Sequence, residues 1–205
     1  MSTGEHSQER MVGRSIYLRP PVYDDASEGP WFSWFNDPDA TRFTFHGRVA
    51  NTREDQIKFF EATIGDESRR VFAICDQASN EMIGVTSLQD VDLNNRSAEI
   101  AIMVGDSRFR GKGVSLEAWG LLVQYGFQNL QIDKIVAGSH EGLRRWVESL
   151  GVIGFKIESE EANVFTEDDP PAGVIWYACY RSDFEQLVGR NGPFDARNWF
   201  SRSSD

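Results

Sequence analysis

The stretch Arg108-Phe109-Arg110-Gly111-Lys112-Gly113-Val114-Ser115 decides the fold of this chain. Upstream of it, Ala98-Glu99-Ile100-Ala101-Ile102-Met103-Val104 reads as a strand of alternating character. Downstream, Val114, Ala118, Leu121, Leu122 and Tyr125 recur at helical spacing. A strand, a glycine loop and an amphipathic helix in that order leave free backbone N–H groups and a positive helix end at the loop, where an anion can sit. Arg108, Arg110 and Lys112 add three cations to a chain of net charge −11. A phosphate-bearing ligand explains that local exception.

Two common phosphate loops fail on spacing. A Walker loop requires Gly-x-x-x-x-Gly-Lys-Ser/Thr, but five residues separate Gly105 from Gly111, and Gly113 follows Lys112. The dinucleotide fingerprint requires a third glycine, and Gly111-Lys112-Gly113 runs on into Val114, Ser115 and Leu116. What remains is Arg-x-x-Gly-x-Gly, carried by Arg108, Gly111 and Gly113. This pattern resembles the acyl-CoA pyrophosphate loop of the GNAT acyltransferases. The glycines have a physical reason: without Cβ atoms, backbone amides approach the pyrophosphate closely.

The flanks extend the resemblance over roughly residues 14 to 182. An acidic residue, Glu99, stands near the start of the strand, and Lys134-Ile135-Val136-Ala137-Gly138 follows the helix. A second helix is expected from about Glu141 to Leu150, and Gly154-Phe155 begins another short strand. Ile16-Tyr17-Leu18-Arg19-Pro20 and Trp34-Phe35-Asn36-Asp37-Pro38 resemble segments of the branch that acetylates ribosomal-protein N-termini and amino sugars. The resemblance implies an α/β (α+β) fold with a central mixed sheet flanked by helices. It also implies an acetyl-CoA-dependent N-acetyltransferase. Three segments follow: a disordered leader over 1–13, the acetyltransferase domain over 14–185, and a tail over 186–205 with aromatics at Phe194, Trp199 and Phe200.

Composition sets bounds. With 205 residues, one domain with a substantial core is expected. No apolar run is long enough to cross a bilayer, and residues 1–13 lack the apolar stretch of a signal peptide. Cys75 and Cys179 read as buried free thiols in a reducing cytoplasm. His6 belongs to the leader, and three scattered histidines with two distant cysteines make no metal-site spacing, so no metal is expected. An acidic chain is a poor nucleic-acid binder and attracts cationic amines instead. The chain is expected to act as a monomer or homodimer.

Along the chain, Ile16–Arg19 reads as a strand stopped by Pro20-Pro21, and residues 23–35 as a helical segment broken at Gly29-Pro30. Thr52 is a helix N-cap. Residues 70–75 and 82–88 form a hairpin around Gln77-Ala78-Ser79-Asn80, Asn94-Asn95 makes the next turn, and 174–180 is the final strand.

By resemblance, Met103 and Val104 pair with the pantetheine, while Arg108, Arg110, Gly111, Lys112, Gly113, Val114 and Ser115 hold the pyrophosphate. The amine must be neutral to attack the thioester, and the leaving thiolate needs a proton. Glu99 is the expected base; a substrate-ammonium anchor or an exposed strand-end carboxylate are its other readings. Many family members carry a tyrosine four residues before the last helix's terminal glycine. Here Val147 or Leu150 holds that place, so Ser139 and His140 become the substitute candidates. His140 also suits a cap. Trp34, Phe45 and His46 are expected to touch the acceptor, in a segment whose aromatics equally suit the core. The acceptor is expected to be a small amine, first a nucleotide-linked amino sugar. A protein N-terminus, a polyamine, and a non-catalytic CoA-binding module are the alternatives.

Overall fold

A computed structural model describes residues 10–44, 49–168 and 170–200. The chain enters through β1 (Met11–Val12) and β2 (Ile16–Arg19), an antiparallel pair. Met11 and Val12, expected in a disordered leader, are thus part of the sheet. Gly29-Pro30 separates α1 (Tyr23–Ser27) from α2 (Trp31–Trp34). A short helix that the sequence reading did not anticipate follows, α3 (Pro38–Thr41). Asp37 caps it by accepting from the Asp39 N–H at 2.9 Å, and Pro38 occupies the first turn, where no N–H is missed. α4 (Arg53–Thr63) opens with a reciprocal capping box between Thr52 and Asp55.

The sheet then builds as a meander. β3 (Arg70–Asp76), β4 (Met82–Asp92) and β5 (Ser97–Val104) pair antiparallel. Their turns are set by Asn80 at φ 61° and by the Asp92 carboxylate, which accepts the N–H groups of Asn94 and Asn95. α5 (Val114–Asn129) crosses over to β6 (Lys134–His140), which lies parallel to β5. α6 (Arg144–Ser149) sits between two 3₁₀ turns, Glu141–Leu143 and Leu150–Ile153. The strand expected to be short, β7 (Phe155–Phe165), runs for 11 residues and pairs with β8 (Ala172–Tyr180). α7 (Arg181–Asn191) and α8 (Ala196–Phe200) close the chain, so the boundary expected at 185 falls inside a helix.

The eight strands form one mixed sheet in the order β1-β2-β3-β4-β5-β6-β8-β7. On one face the apolar side of α5 packs with α6, α7 and α8 over Leu18, Ile74, Leu88, Ile100, Ile135 and Ile175. Phe194 fills a notch at Gly120, where an added Cβ would lie 2.0 Å from its ring. On the other face, residues of α1, α2 and α4 (Ala26, Trp31, Trp34 and Phe60) bury Val85 of β4 and Met103 of β5, with Val71 of β3 and Met82 of β4 partly buried against them.

Candidate active site

Pairing between β5 and β6 is short. Ser97, Ala98 and Glu99 face Lys134, Ile135 and Val136, and there the register ends. β6 stays paired with β8 over its full length, from Lys134 to His140, so the opening lies on its β5 side. Residues 100–104 and 137–140 therefore border a gap with unpaired backbone along its edges. Strand alternation assigns the faces. Glu99 shares the face of Met103, under α1–α4, while Ser139 shares the face of Ala137, under α5 and α6. A group threaded through the gap would meet Glu99 on one side of the sheet and Ser139 on the other.

The glycine loop lies at the C-terminal end of β5. Gly111 (φ 74°) and Gly113 (φ 81°) are both left-handed, and nothing lies within 4 Å of a Cβ added at either. Glycine is required there by the backbone path and not by packing. Gly113 is the N-cap of the 16-residue α5 and supplies no side-chain cap, so the first-turn amides of Val114 and Ser115 are open to an anion. The cations are arranged differently from the three-charge cluster expected. Arg108 binds Asp106 (2.7 Å) and Glu81 (3.0 Å). Arg110 donates to the Val104 carbonyl (3.0 Å), the Gly105 carbonyl (2.6 Å) and Asp37 (2.6 Å), which it holds below the usual carboxylate range. Lys112 lies over the Phe109 ring and has no acidic partner among the described residues. The loop thus presents backbone amides and, among the described residues, one cation without an acidic partner. The Val104 backbone was expected to pair with pantetheine; its carbonyl accepts from Arg110.

Glu99 stands in the last paired row of β5 and β6, half-buried. Burial pushes its carboxyl above the ordinary glutamate value, Asp90 adds to the rise, and a hydrogen bond with Gln89 opposes it. Ser139 bonds its hydroxyl to that of Tyr177 at 2.7 Å. Tyr177 is buried against Trp119 and Phe155, and burial pushes its hydroxyl up to about 12, which keeps it protonated. His140 has both ring nitrogens occupied. Nδ1 accepts from the Gly142 N–H at 2.9 Å, and Nε2 lies 2.8 Å from Asp168. With Phe43 and Phe165 against its ring, it is placed as a buried cap. Trp34 is buried beneath Gly105, where a Cβ would come within 1.8 Å of the indole. It borders a cleft of ≈ 540 Å³ with Asp24, Glu28, Glu81, Met82 and Arg108, on the β4 side of β5 and away from the gap. Phe45 and His46 lie outside the described residues.

Residues 15–156 match the family described as the acetyltransferase (GNAT) domain. The chain belongs to the GNAT acetyltransferase family. It is 24% identical over 132 residues to an N-acetyltransferase 9-like protein of Caenorhabditis briggsae, covering 60% of this chain and 65%, under two thirds, of that protein. The counterpart from Nematostella vectensis is 23% identical over 172 residues, covering 79% and 84% of the two chains. In fold, the chain is similar to the spermidine N-acetyltransferase of Vibrio cholerae solved with CoA and spermine. That likeness has a TM-score of 0.75 at 19% identity and covers 83% of this chain and 98% of that one. GNAT enzymes use acetyl-CoA, and this chain is an acyltransferase. Among the described residues, no group of three or more His, Cys, Asp or Glu side chains is set to hold a metal ion, and no helix is long and apolar enough to cross a membrane.

In this GNAT enzyme, two site-forming residues escaped the sequence reading. Tyr177 reaches Ser139 from β8, 38 positions away, and only strand register brings them together. Glu117, in the first turn of α5, is 4% exposed and accepts the N–H groups of Arg14 and Ser15 and the Ser15 hydroxyl (2.6 Å). It ties the entry of β2 to the helix that carries the loop. A buried carboxylate needs such donors. The signal was a charged residue on the apolar stripe of α5, one position before Ala118.

Proposed function

We propose that this enzyme transfers an acetyl group to a primary amine by direct attack, with the pyrophosphate of acetyl-CoA on the Gly111–Gly113 loop and its thioester in the gap between β5 and β6. The observation that carries the reading is the position of Glu99 at the root of that gap, with its carboxyl pushed up by burial. A raised carboxyl is a better match to an ammonium that must lose its proton. Glu99 takes that proton, the nitrogen lone pair attacks the thioester carbon, and the carbon–sulfur bond breaks with its electrons left on sulfur. The nitrogen sheds its second proton as that bond breaks, and this proton reaches the thiolate through Ser139, which takes it up as it gives its own; Tyr177, whose hydroxyl is kept protonated, holds the Ser139 hydroxyl in place and loses no proton. Lys112 and the open amides at the start of α5 hold the pyrophosphate; Arg108 and Arg110 shape the loop from behind. Met103 lines the gap on the acceptor face.

The acceptor is a small amine, first a nucleotide-linked amino sugar, acting in the cytoplasm, where the two buried free thiols stay reduced. The net charge of −11 favours a second reading, a polyamine, through electrostatic attraction. A thiol-release assay with acetyl-CoA and a panel of nucleotide-linked amino sugars, polyamines and peptides with free N-termini tests the reading. Release with a small amine is expected. Release with peptides alone would move the acceptor to protein N-termini. Tight acetyl-CoA binding with no release from any amine would make the chain a CoA-binding module.

A further inference from the structure

The face of the sheet that carries Glu99 is covered by α1–α4 only as far as β5. Beyond the gap, Phe43 and Phe165 cover the His140 end of β6, while Gly138 and Trp176 on that face stay exposed, and strand register sets out what stands around them. Val136 lies opposite Glu99, Ala178 opposite Val136, and Trp176 opposite Gly138, two residues farther along β6. The indole of Trp176 leans over Gly138: a Cβ there would lie 2.8 Å from its ring. Gly138 has φ outside the left-handed region, so what its lack of a side chain supplies is room for the ring. Trp176 is 37% exposed, although tryptophan is usually buried, and its N–H points to Glu161 at 3.4 Å.

We propose that Trp176 is the acceptor platform of this site: its open indole face takes the ring of an amino sugar while Glu99 takes the amine. The inference rests on the gap being the reaction centre. Strands lie about 4.8 Å apart and rise about 3.3 Å per residue, so Gly138 stands about 8 Å from the Glu99 position. A six-membered ring bearing an amine bridges an indole over Gly138 and a carboxylate on Glu99. A flat indole receives the C–H face of a pyranose, and Glu161 at its edge accepts a sugar hydroxyl. Glu158, on this side, is bound to Lys134 (2.9 Å) and Tyr180 (2.5 Å). That carboxylate is already committed to partners, which leaves Glu161, at the edge of the indole, to receive a sugar hydroxyl.

The test compares UDP-glucosamine with spermidine as acceptors for the wild type, Trp176→Ala and Trp176→Phe. Trp176→Ala should raise KM for UDP-glucosamine at least tenfold and leave KM for acetyl-CoA within twofold. Trp176→Phe should recover most of the loss, and spermidine turnover should barely change. An unchanged KM for UDP-glucosamine in Trp176→Ala overturns the assignment. An equal loss with spermidine overturns it too, because the indole would then be receiving a cation. Calorimetry with UDP-glucosamine separates this idea from the catalytic reading. If no amine is acetylated, binding that weakens tenfold in Trp176→Ala still supports the platform. Absent binding, or equal binding by both proteins, removes it.

Discussion

The two faces of the sheet are finished in different ways. Under α5–α8, apolar side chains cover the strands from β2 to β7, with Phe127, Phe184, Phe194 and Trp199 as the large pieces. Under α1–α4, a smaller cluster around Trp31, Trp34 and Phe60 ends at Met103, and beyond the gap Gly138 and Trp176 stay exposed. The first face is closed and can carry most of the stability, since burial of apolar area is the main favourable term. The second keeps a half-buried carboxylate and an exposed indole, both of which a closed face would exclude. Most of the apolar burial thus lies on one side of the sheet, the proposed base lies on the other, and Ser139 with Tyr177 reaches the gap from the closed side.

The largest expected effect tests the open face. Glu99→Gln keeps shape but loses the base, and general-base contributions run about 10²–10⁴-fold, so kcat should fall by that factor with KM for acetyl-CoA unchanged. The defect should narrow at high pH, where solvent has already deprotonated the amine. A kcat within threefold of wild type breaks the assignment of chemistry to this face, and a raised acceptor KM with kcat intact makes Glu99 an ammonium anchor.

The closed face is tested next. Trp199, 2% exposed, contacts Phe184 and Phe194. Trp199→Ala should cost about 3–5 kcal/mol in urea unfolding while kcat per folded molecule holds. A kcat loss like that of Glu99→Gln would show that the faces are not separable. Gly111→Val sharpens the contrast at the loop between them. Valine does not tolerate φ 74°, so the amides must turn away and CoA affinity should drop at least tenfold, about 1.4 kcal/mol, by calorimetry. Unchanged binding would remove the loop from the site.

The smallest effect concerns pH. A carboxyl raised in the folded protein binds its proton more tightly there than in the unfolded chain, so ionised Glu99 opposes folding above the ordinary value of 4.5. Glu99→Gln should therefore melt slightly higher than wild type at pH 7, with the difference closing as pH falls towards 4.5. A lower melting temperature at pH 7 would mean that the carboxylate stabilises this face.

The local chemistry was legible in the sequence. The alternation of 98–104, the glycine loop, the stripe of α5 and the Thr52 cap each depend on neighbours within a few residues. The partners across the fold were not. Arg110 looked like a phosphate ligand because Asp37, which it binds, lies 73 positions away. Trp34 looked like an acceptor contact because nothing local marks Gly105 as the surface above it. β7 looked short because Lys156–Asn163 lack an apolar face. It is an edge strand exposed on both sides, where charges do not conflict with burial. The segment after 185 read as a tail because its few aromatics, spaced by Gly192, Pro193 and Asp195, show no helical stripe. Their packing is specified by the notch at Gly120 and the side chain of Phe184.

That notch also sets an order of events during synthesis. α5 is made more than sixty residues before Phe194, so its Gly120 flank must wait, uncovered, while β6, β7 and β8 are added. A nascent chain carries this sticky helix side until the segment after α7 emerges, and contacts so distant in sequence form late. A chain still on the ribosome therefore leaves this flank of α5 uncovered until Phe194 emerges.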